Sequence, residues 1–209
     1  MLARKVDKSL AKRLTDIGIA SILIVLTSPL VLLAMAAVLL TMGRPILFTQ
    51  ERTGLSERKF RLLKLRTMGS SHDAHGIPLT DAERLTAVGR ILRKTSLDEL
   101  PQMINVIRGE MSLVGPRPLL PRYDPWYTDT ERLRFAARPG ITGLAQVSGR
   151  NNLGWDARLN MDVRYVRDWS FRMDLAILIS TGWRAFLGSG VSVDTNAVLA
   201  DLDMERQGR

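Results

Sequence analysis

The sequence predicts a mainly α-helical protein with one small β-hairpin and an apolar N-terminal segment that enters a membrane. The first observation is a run of 26 residues without a charged side chain, from 17 to 42. The second is a set of segments in which apolar residues recur every three or four positions between charged ones. The third is a pair of strand-like stretches around a glycine-containing turn. We therefore expect a membrane helix followed by one compact polar region.

The composition limits the size of the fold and the kinds of molecule that the protein can bind. The 209 residues suffice for one domain with a sizeable core, and 45% of them are apolar, as in ordinary globular proteins. The formal net charge of +9 favours an anionic partner, which is a nucleic acid, an anionic lipid surface or a phosphorylated substrate. Cysteine is absent, which excludes disulfides and cysteine-ligated metal sites and fits a reducing compartment.

The apolar run has two arrangements in a membrane. The first arrangement is a single span, because the run exceeds the ~20 residues that a transmembrane helix needs and such helices tolerate proline. Ser28-Pro29 lies in its middle, where proline removes a backbone donor and favours a kink. Each half is then roughly 18–20 Å long, too short for a ~30 Å hydrocarbon core. Lysine and arginine are abundant on both flanks and prefer the cytoplasmic side, so a re-entrant helix is the second arrangement.

The remaining elements follow from periodicity and turn residues. Residues 46–50 and 59–66 flank the turn and predict the β-hairpin. Helices are expected over 81–93, 97–107, 155–169 and 175–187. The last of these carries Trp183 and Phe186 beside Arg184, a mixture that suits a membrane interface or a core-packing helix equally.

Two loop regions separate these helices. His72 and His75 lie three residues apart in a polar loop, and solvated side chains are favoured over a metal pair because no third ligand is near in sequence. Residues 112–150 are rich in glycine, proline and arginine and carry little helical period. We expect them to form an ordered, irregular region, and a loop this long inside a compact domain is usually functional.

An acidic pair, Asp98-Glu99, opens the second predicted helix. Ser96-x-x-Glu99 has the pattern of a capping box, and a simple helix start is the first interpretation. Pro101 would then sit inside the helix, where its missing N–H is costly, so Asp98 as the cap fits the proline better. Cations surround the pair in sequence, and carboxylates among fixed cations suit phosphoryl chemistry, in which a carboxylate binds Mg²⁺ or attacks phosphorus. These cations are Arg93, Lys94, Arg108 and Arg117.

The irregular region adds two further anion-binding features. The first is an arginine between two prolines, in Gly115-Pro116-Arg117-Pro118. The prolines make the backbone rigid, so the guanidinium is positioned at low entropic cost. A second stretch, 138–150, begins and ends in arginine, and its glycines let backbone N–H groups approach an anion closely. Neither stretch is a Walker A loop or a dinucleotide-binding fingerprint.

Taken together, these residues resemble the small monotopic phosphoglycosyl transferases of the bacterial sugar transferase family. The resemblance runs from about residue 10 to about residue 195, and six motifs carry it in order. They are Thr27-Ser28-Pro29, Phe48-Thr49-Gln50 with Gly54, Lys64-Leu65-Arg66-Thr67-Met68, Ser96-Leu97-Asp98-Glu99-Leu100-Pro101-Gln102, Gly115-Pro116-Arg117-Pro118 and Arg138-Pro139-Gly140-Ile141-Thr142-Gly143-Leu144-Ala145-Gln146-Val147.

The resemblance implies a two-step reaction. Asp98 would attack the β-phosphorus of a UDP-sugar and release UMP, with Mg²⁺ bound at Asp98, and undecaprenyl phosphate would then take the sugar phosphate with help from Glu99. The resemblance also implies a re-entrant helix broken at Ser28-Pro29, amphipathic interfacial helices and a compact cytoplasmic catalytic region. The residues assigned to phosphate and nucleotide binding are Arg117, Arg93, Arg138, Arg150, Lys64, Arg66 and Gln146. For Lys64 and Arg66 the alternative is that they line the membrane surface.

The expected organisation and partners follow from the same resemblance. Residues 1–45 form a basic segment with the re-entrant helix, 46–190 the catalytic domain and 191–209 a polar C-terminal tail. The expected location is the cytoplasmic face of a bacterial inner membrane, with both termini cytoplasmic. The partners are the UDP-sugar, undecaprenyl phosphate and membrane lipids but no nucleic acid, and a homodimer is left open. The alternative is a basic, membrane-anchored binding module without catalysis, and the motifs leave the sugar unidentified.

Overall fold

As predicted, the protein is mainly helical with a small β-hairpin, and the described residues also contain a second two-stranded sheet that was not predicted. A computed structural model describes residues 9–72, 76–77, 79–149, 153–186 and 201–207. Within those residues the helices are α1 Leu10–Met42, α2 Asp81–Arg84, α3 Ala87–Lys94, α4 Gln102–Arg108, α5 Asp129–Arg132, α6 Leu144–Ser148, α7 Trp155–Asp168, α8 Phe171–Phe186 and α9 Leu202–Gln207. The strands are β1 Leu47–Thr53, β2 Lys59–Leu65, β3 Ser112–Val114 and β4 Gly140–Thr142.

Helix α1 contains the apolar run and is long and apolar enough to cross a membrane. Ser9 caps its start by accepting a hydrogen bond from the Lys12 amide, and Gly43 ends it with a φ of 68°. The helix continues without interruption through Pro29, at the position where the sequence predicts a break. The Ser28 hydroxyl donates to the Val25 carbonyl at 2.9 Å, which is the carbonyl that Pro29 leaves without its backbone donor. Re-entry into the membrane stays a prediction.

The β-hairpin is confirmed. Strands β1 and β2 pair antiparallel from Leu47 opposite Leu65 to Thr53 opposite Lys59. Phe60 and Leu62 alternate along β2 and are buried in the core on one face, whereas Leu65 faces the other side and packs against α1. The second sheet is parallel, with β3 beside β4, and it lies within the region predicted to be irregular.

Three predicted helices have different bounds in the structure, and the one expected over 175–187 is α8, which begins four residues earlier, at Phe171. The helix expected over 81–93 is divided into α2 and α3, because the Thr86 side chain caps α3 by accepting from the Gly89 amide at 2.9 Å. The helix expected over 97–107 begins only at Gln102, since Pro101 occupies its N-cap, where the missing N–H costs nothing. Its predicted end is confirmed, with Gly109 as the C-cap at a φ of 87°. The helix from Trp155 to Asp168 is also confirmed.

The hydrophobic core lies where β2, α4, β3, α7 and α8 meet, and Ala20 of α1 packs into it. A second cluster joins Ala34 and Val38 of α1 to Leu65 and Leu92. A third, largely aromatic cluster includes Leu202 of α9, so part of the predicted polar tail packs against the catalytic region. The predicted domain boundaries stay predictions.

Candidate active site

The acidic pair lies on a short 3-10 turn, Leu97–Glu99, between α3 and α4. Ser96 precedes the turn in the left-handed region, with a φ of 57°, and makes no capping hydrogen bond through its side chain. The capping box considered from the sequence is therefore not formed. A non-glycine residue in this conformation is uncommon and is found more often at functional sites.

Asp98 is buried, with 6% of its surface exposed. Burial raises the pKa of its carboxyl from 3.8 to about 6, because desolvation disfavours the charged form. The positive charge of Lys64 lowers this pKa in part, Glu99 raises it, and Arg93 lowers it. At neutral pH the carboxylate is therefore ionised but poorly solvated, which is the state expected of a reactive nucleophile.

Glu99 has a different environment although it is the next residue. Its Oε1 forms an ion pair with Lys64 Nζ at 2.6 Å and lies 3.8 Å from Arg117 Nη2. Its side chain is about one-quarter exposed, so Glu99 stays in contact with solvent. The structure thus brings together both acidic residues, Lys64 and Arg117.

Arg93 completes the cationic side of the acidic turn. Its Nε donates to Thr67 Oγ1 at 3.1 Å, and Thr67 is buried. The backbone of α3 approaches so closely that a Cβ on Gly89 would lie 1.9 Å from the Thr67 carbonyl oxygen. Glycine is required there, and the close packing fixes Thr67 beneath Arg93.

The turn at 115–118 is held from both sides. Arg134 Nη2 donates to the Arg117 carbonyl at 2.6 Å, and Arg52 Nη1 donates to the Pro118 carbonyl at 3.3 Å. The Gly140 amide donates to the Pro116 carbonyl at 2.9 Å. Since the backbone of Arg117 is fixed in this way, its half-exposed side chain is the part that remains able to move toward a ligand.

The other predicted binding residues are not gathered at this point. Arg66 donates to the carbonyls of Met42 and Arg44, so it ties the end of α1 to β2. Arg138 Nε donates to the Gly109 carbonyl at the end of α4. Gln146 lies near the parallel sheet, with its Oε1 buried and without a hydrogen-bond partner among the described residues. Arg150 lies outside the described residues.

Three residues at the site were missed by sequence reasoning: Arg52, Thr67 and Arg134. Thr67 stands in the Lys64–Met68 motif, and Arg52 is two residues beyond Gln50 of another motif, so their neighbourhood was a signal. Arg134 had no such signal. Its partner Asp162 is 28 residues away, and the ion pair at 2.7 Å forms only when α7 packs against the turn.

The donor set suits a metal shared with phosphate better than a metal held by protein alone. In the described part of the chain no three acidic, histidine or cysteine residues form a group that could hold an ion. Mg²⁺ commonly takes one or two carboxylates and completes its shell with water and substrate phosphate oxygens. Asp98 and Glu99 provide such a partial set.

The arrangement as a whole favours chemistry on phosphorus. A buried carboxylate can act as a nucleophile, and guanidinium and ammonium groups around it can bind phosphate oxygens and stabilise charge in a transition state. The buried carboxylate is that of Asp98, and the cations around it are Lys64, Arg93 and Arg117.

Comparison with known proteins agrees with this interpretation. A sequence model described as bacterial sugar transferase matches residues 7–188. The chain is 46% identical over 190 residues to an uncharacterized sugar transferase, EpsL, of Bacillus subtilis, covering 91% of this chain and 94% of that protein. It is 43% identical over 188 residues to UDP-glucose:undecaprenyl-phosphate glucose-1-phosphate transferase of Caulobacter vibrioides, covering 85% and 70%.

A third relative is UDP-galactose-lipid carrier transferase of Erwinia amylovora, which is 41% identical over 197 residues. The alignment covers 86% of this chain and 41% of that longer protein. The apolar helix and the lipid-carrier relatives together indicate that the chain associates with a membrane. The chain belongs to the bacterial sugar transferase family and is an enzyme of the transferase class.

Proposed function

We propose that the chain transfers a sugar 1-phosphate from a UDP-sugar to undecaprenyl phosphate and releases UMP, as the first membrane step in assembly of a polysaccharide or other glycoconjugate. The observation that carries the proposal is the buried Asp98 carboxylate, with a pKa of about 6, beside Glu99 and its cations. Relatives named for UDP-glucose and UDP-galactose support a UDP-sugar donor and an undecaprenyl phosphate or lipid-carrier acceptor.

In the first step Asp98 attacks the phosphorus that bears the sugar. A bond forms between the carboxylate oxygen and phosphorus, and the bond from that phosphorus to the bridging oxygen breaks. UMP leaves with the bridging oxygen, and the sugar phosphate stays on Asp98. Burial favours this step, because it removes water that would stabilise the free carboxylate before the attack.

In the second step a phosphate oxygen of the lipid attacks the same phosphorus. The bond between phosphorus and Asp98 breaks, which restores the carboxylate and gives a lipid-linked diphosphosugar. Glu99 is placed to accept a proton from, or to orient, the incoming lipid phosphate, because it is solvent-exposed in part and lies next to Asp98. Lys64 and Arg117 hold Glu99 and are placed to bind phosphate oxygens.

Asp98, with Glu99 beside it, would hold Mg²⁺ together with the diphosphate. The ion would neutralise phosphate charge and so favour departure of UMP. Asp98 itself stays the attacking group.

Two anchors on α1 support a re-entrant arrangement with both ends on the cytoplasmic side. Near its start, Lys12 forms an ion pair with Asp174 of α8 at 2.7 Å, and Asp16 accepts from the Ser112 hydroxyl at 2.7 Å. At its other end, Arg66 donates to the Met42 carbonyl. A straight helix of this length would place its ends about 50 Å apart, yet both ends contact the same catalytic region.

An exposed apolar face of α8 supports contact with the membrane interface. Phe171, Leu175, Ile179 and Trp183 follow one another at intervals of four residues and are 46–64% exposed. Residues at this spacing share one face of a helix, whereas Asp174 and Ile177 are buried on the opposite face. Such a face suits the boundary between headgroups and acyl chains.

The reaction is tested by incubating the purified chain with a panel of UDP-sugars, undecaprenyl phosphate and Mg²⁺ and measuring UMP. We expect release with at least one UDP-sugar, which also identifies the sugar. Without the lipid, one equivalent of UMP and a sugar phosphate attached to Asp98 should be detectable by intact mass, as in double-displacement catalysis. Asp98→Asn should release no UMP, while Glu51→Gln, an exposed acid on β1, should behave as the parent. Normal turnover by Asp98→Asn would refute the nucleophile assignment.

The arrangement in the membrane has a separate test. The chain contains no cysteine, so Ala3→Cys and Glu205→Cys each provide a unique label site. Both should be protected from a membrane-impermeant thiol reagent in intact cells and reactive after lysis. Labelling of residue 3 alone in intact cells would identify a single span instead.

A further inference from the structure

Arg52 extends from β1 toward the turn that carries Arg117. Its Nη1 donates to the Pro118 carbonyl at 3.3 Å, and its Nη2 donates to Gln50 Oε1. Its Nε is buried and has no hydrogen-bond partner among the described residues. The guanidinium is therefore placed beside Arg117 while part of its hydrogen-bonding capacity stays unused.

The charge of Arg52 is also left without a direct counter-ion. Within the described part of the chain, no carboxylate oxygen lies within 4 Å of its nitrogens. Burial and then the neighbouring charge of Arg117 lower the pKa of Arg52 to about 10, and Glu99 opposes this shift only in part. The Arg52 guanidinium is thus partly desolvated, and its contact with the Pro118 carbonyl keeps it near the positive charge of the half-exposed Arg117 side chain. Such a placement costs free energy unless an anion binds between them.

We propose that Arg52 and Arg117 together form a phosphate-binding pair, in which Arg52 contacts the phosphate directly as well as supporting the turn at 115–118. The inference rests on the proposed function and deepens it by assigning a further substrate-binding residue. A phosphate fits because its oxygens accept several N–H groups at once and its charge offsets the repulsion between the two guanidiniums.

The phosphate has two sources in the proposed reaction, the diphosphate of the donor and the phosphate of the lipid. Arg117 lies 3.8 Å from Glu99, and Glu99 is adjacent to Asp98, so either phosphate would pass within reach of the pair. The shared chemistry is an anionic phosphate next to the nucleophile, and the binding experiment separates the two sources.

The experiment measures binding to the full chain in lipid nanodiscs by calorimetry, with UDP, uridine and a short polyprenyl phosphate as separate probes. Arg52→Gln should weaken the binding of UDP, of the polyprenyl phosphate or of both about tenfold or more, since a charge-assisted hydrogen bond is lost. Uridine has no phosphate and should bind equally. Arg58→Gln, an exposed arginine on the same hairpin, is the matched control and should leave binding of all three probes unchanged.

A second set of variants separates direct contact from support of Arg117. If Arg52 touches the phosphate, Arg52→Gln should still weaken phosphate binding when Arg117→Gln is already present. If Arg52 acts only by holding the turn, its effect should vanish in that background, which would overturn the proposal. Thermal unfolding of each variant shows whether it is folded. Arg52→Lys retains the charge but not the planar fork, and should lose less affinity than Arg52→Gln.

The remaining outcomes are equally decisive. Loss of UDP binding alone assigns the pair to the donor, and loss of polyprenyl phosphate binding alone assigns it to the acceptor. Unchanged binding of both probes in both Arg52 variants would overturn the inference and leave the proposed function intact. If the parent chain binds neither UDP nor the polyprenyl phosphate, both the proposed function and the inference are overturned.

Discussion

The acidic turn at 96–101 and the arginine turn at 115–118 face each other across the candidate site but are held by different means. The acidic turn is held by its own backbone hydrogen bonds, such as that from the Glu99 amide to the Ser96 carbonyl at 3.2 Å, and it keeps Asp98 buried and Ser96 at a φ of 57°. The arginine turn depends on hydrogen bonds to its backbone, because Arg52 and Arg134 each donate to one of its carbonyls.

This difference allows one site to hold a reactive carboxylate opposite a rigid backbone turn. Desolvation makes the Asp98 carboxylate less stable and so better able to react. The hydrogen bonds to the arginine turn fix the backbone of Arg117 and leave its guanidinium available for a ligand. Variants of the arginine turn should therefore change folding and phosphate positioning together. Variants of the acidic turn should change the pH dependence with little effect on folding.

The largest expected effect on stability comes from the support of the arginine turn. Arg134 and Asp162 are 2% and 3% exposed and form an ion pair at 2.7 Å. Arg134→Met would leave the Asp162 carboxylate buried and uncompensated, and Asp162 Oδ1 already has no partner among the described residues. We expect the free energy of unfolding to fall by about 3–5 kcal/mol, measured by denaturant titration in detergent.

A double variant separates folding from positioning. Arg134→Met with Asp162→Leu removes both charges and should recover much of the lost stability. It does not restore the hydrogen bond to the Arg117 carbonyl, so turnover should stay low although the chain is folded. Full recovery of turnover in the double variant would show that the arginine turn needs no such support.

The second prediction concerns the pH dependence of the acidic turn. Because the pKa of Asp98 is raised to about 6, its carboxylate is protonated below that pH and the rate of UMP release should fall about tenfold per pH unit. Lys64 lowers this pKa, so Lys64→Met should move the acidic limb of the profile to higher pH. Arg58→Gln should leave the limb in place. A limb near 4, the ordinary range for aspartate, would contradict the role of burial.

Sequence reasoning identified the acidic turn more completely than the arginine turn. Asp98, Glu99 and Lys64 lie within motifs, and the structure brings the three together. Arg134 could not be predicted as a support, because its role depends on Asp162 and on the Arg117 carbonyl, and both contacts form only through tertiary packing.

The secondary structure shows a similar limit. The hairpin and the helix at Trp155–Asp168 follow from pattern alone. The division of the 81–93 helix does not, since periodicity continues across it while Thr86 caps a new helix and Leu85 pairs with Met68. Pro101 indicates that the capping-box register is unfavourable, but the expected cap at Asp98 is wrong, because Pro101 itself occupies the N-cap of α4.

The smallest expected effect lies in the support of Arg93 on the acidic side. Thr67→Val keeps the shape of a buried side chain but removes the hydroxyl that accepts from Arg93 Nε at 3.1 Å. Loss of one such hydrogen bond corresponds to about 1 kcal/mol, so kcat/KM for UMP release should fall roughly fivefold. Thr49→Val, an exposed threonine on β1, is the matched control and should leave turnover unchanged.

If Arg93 binds donor phosphate, the loss should appear mainly in KM for the UDP-sugar. A loss confined to kcat would mean instead that Arg93 acts by tuning Asp98, whose pKa it lowers.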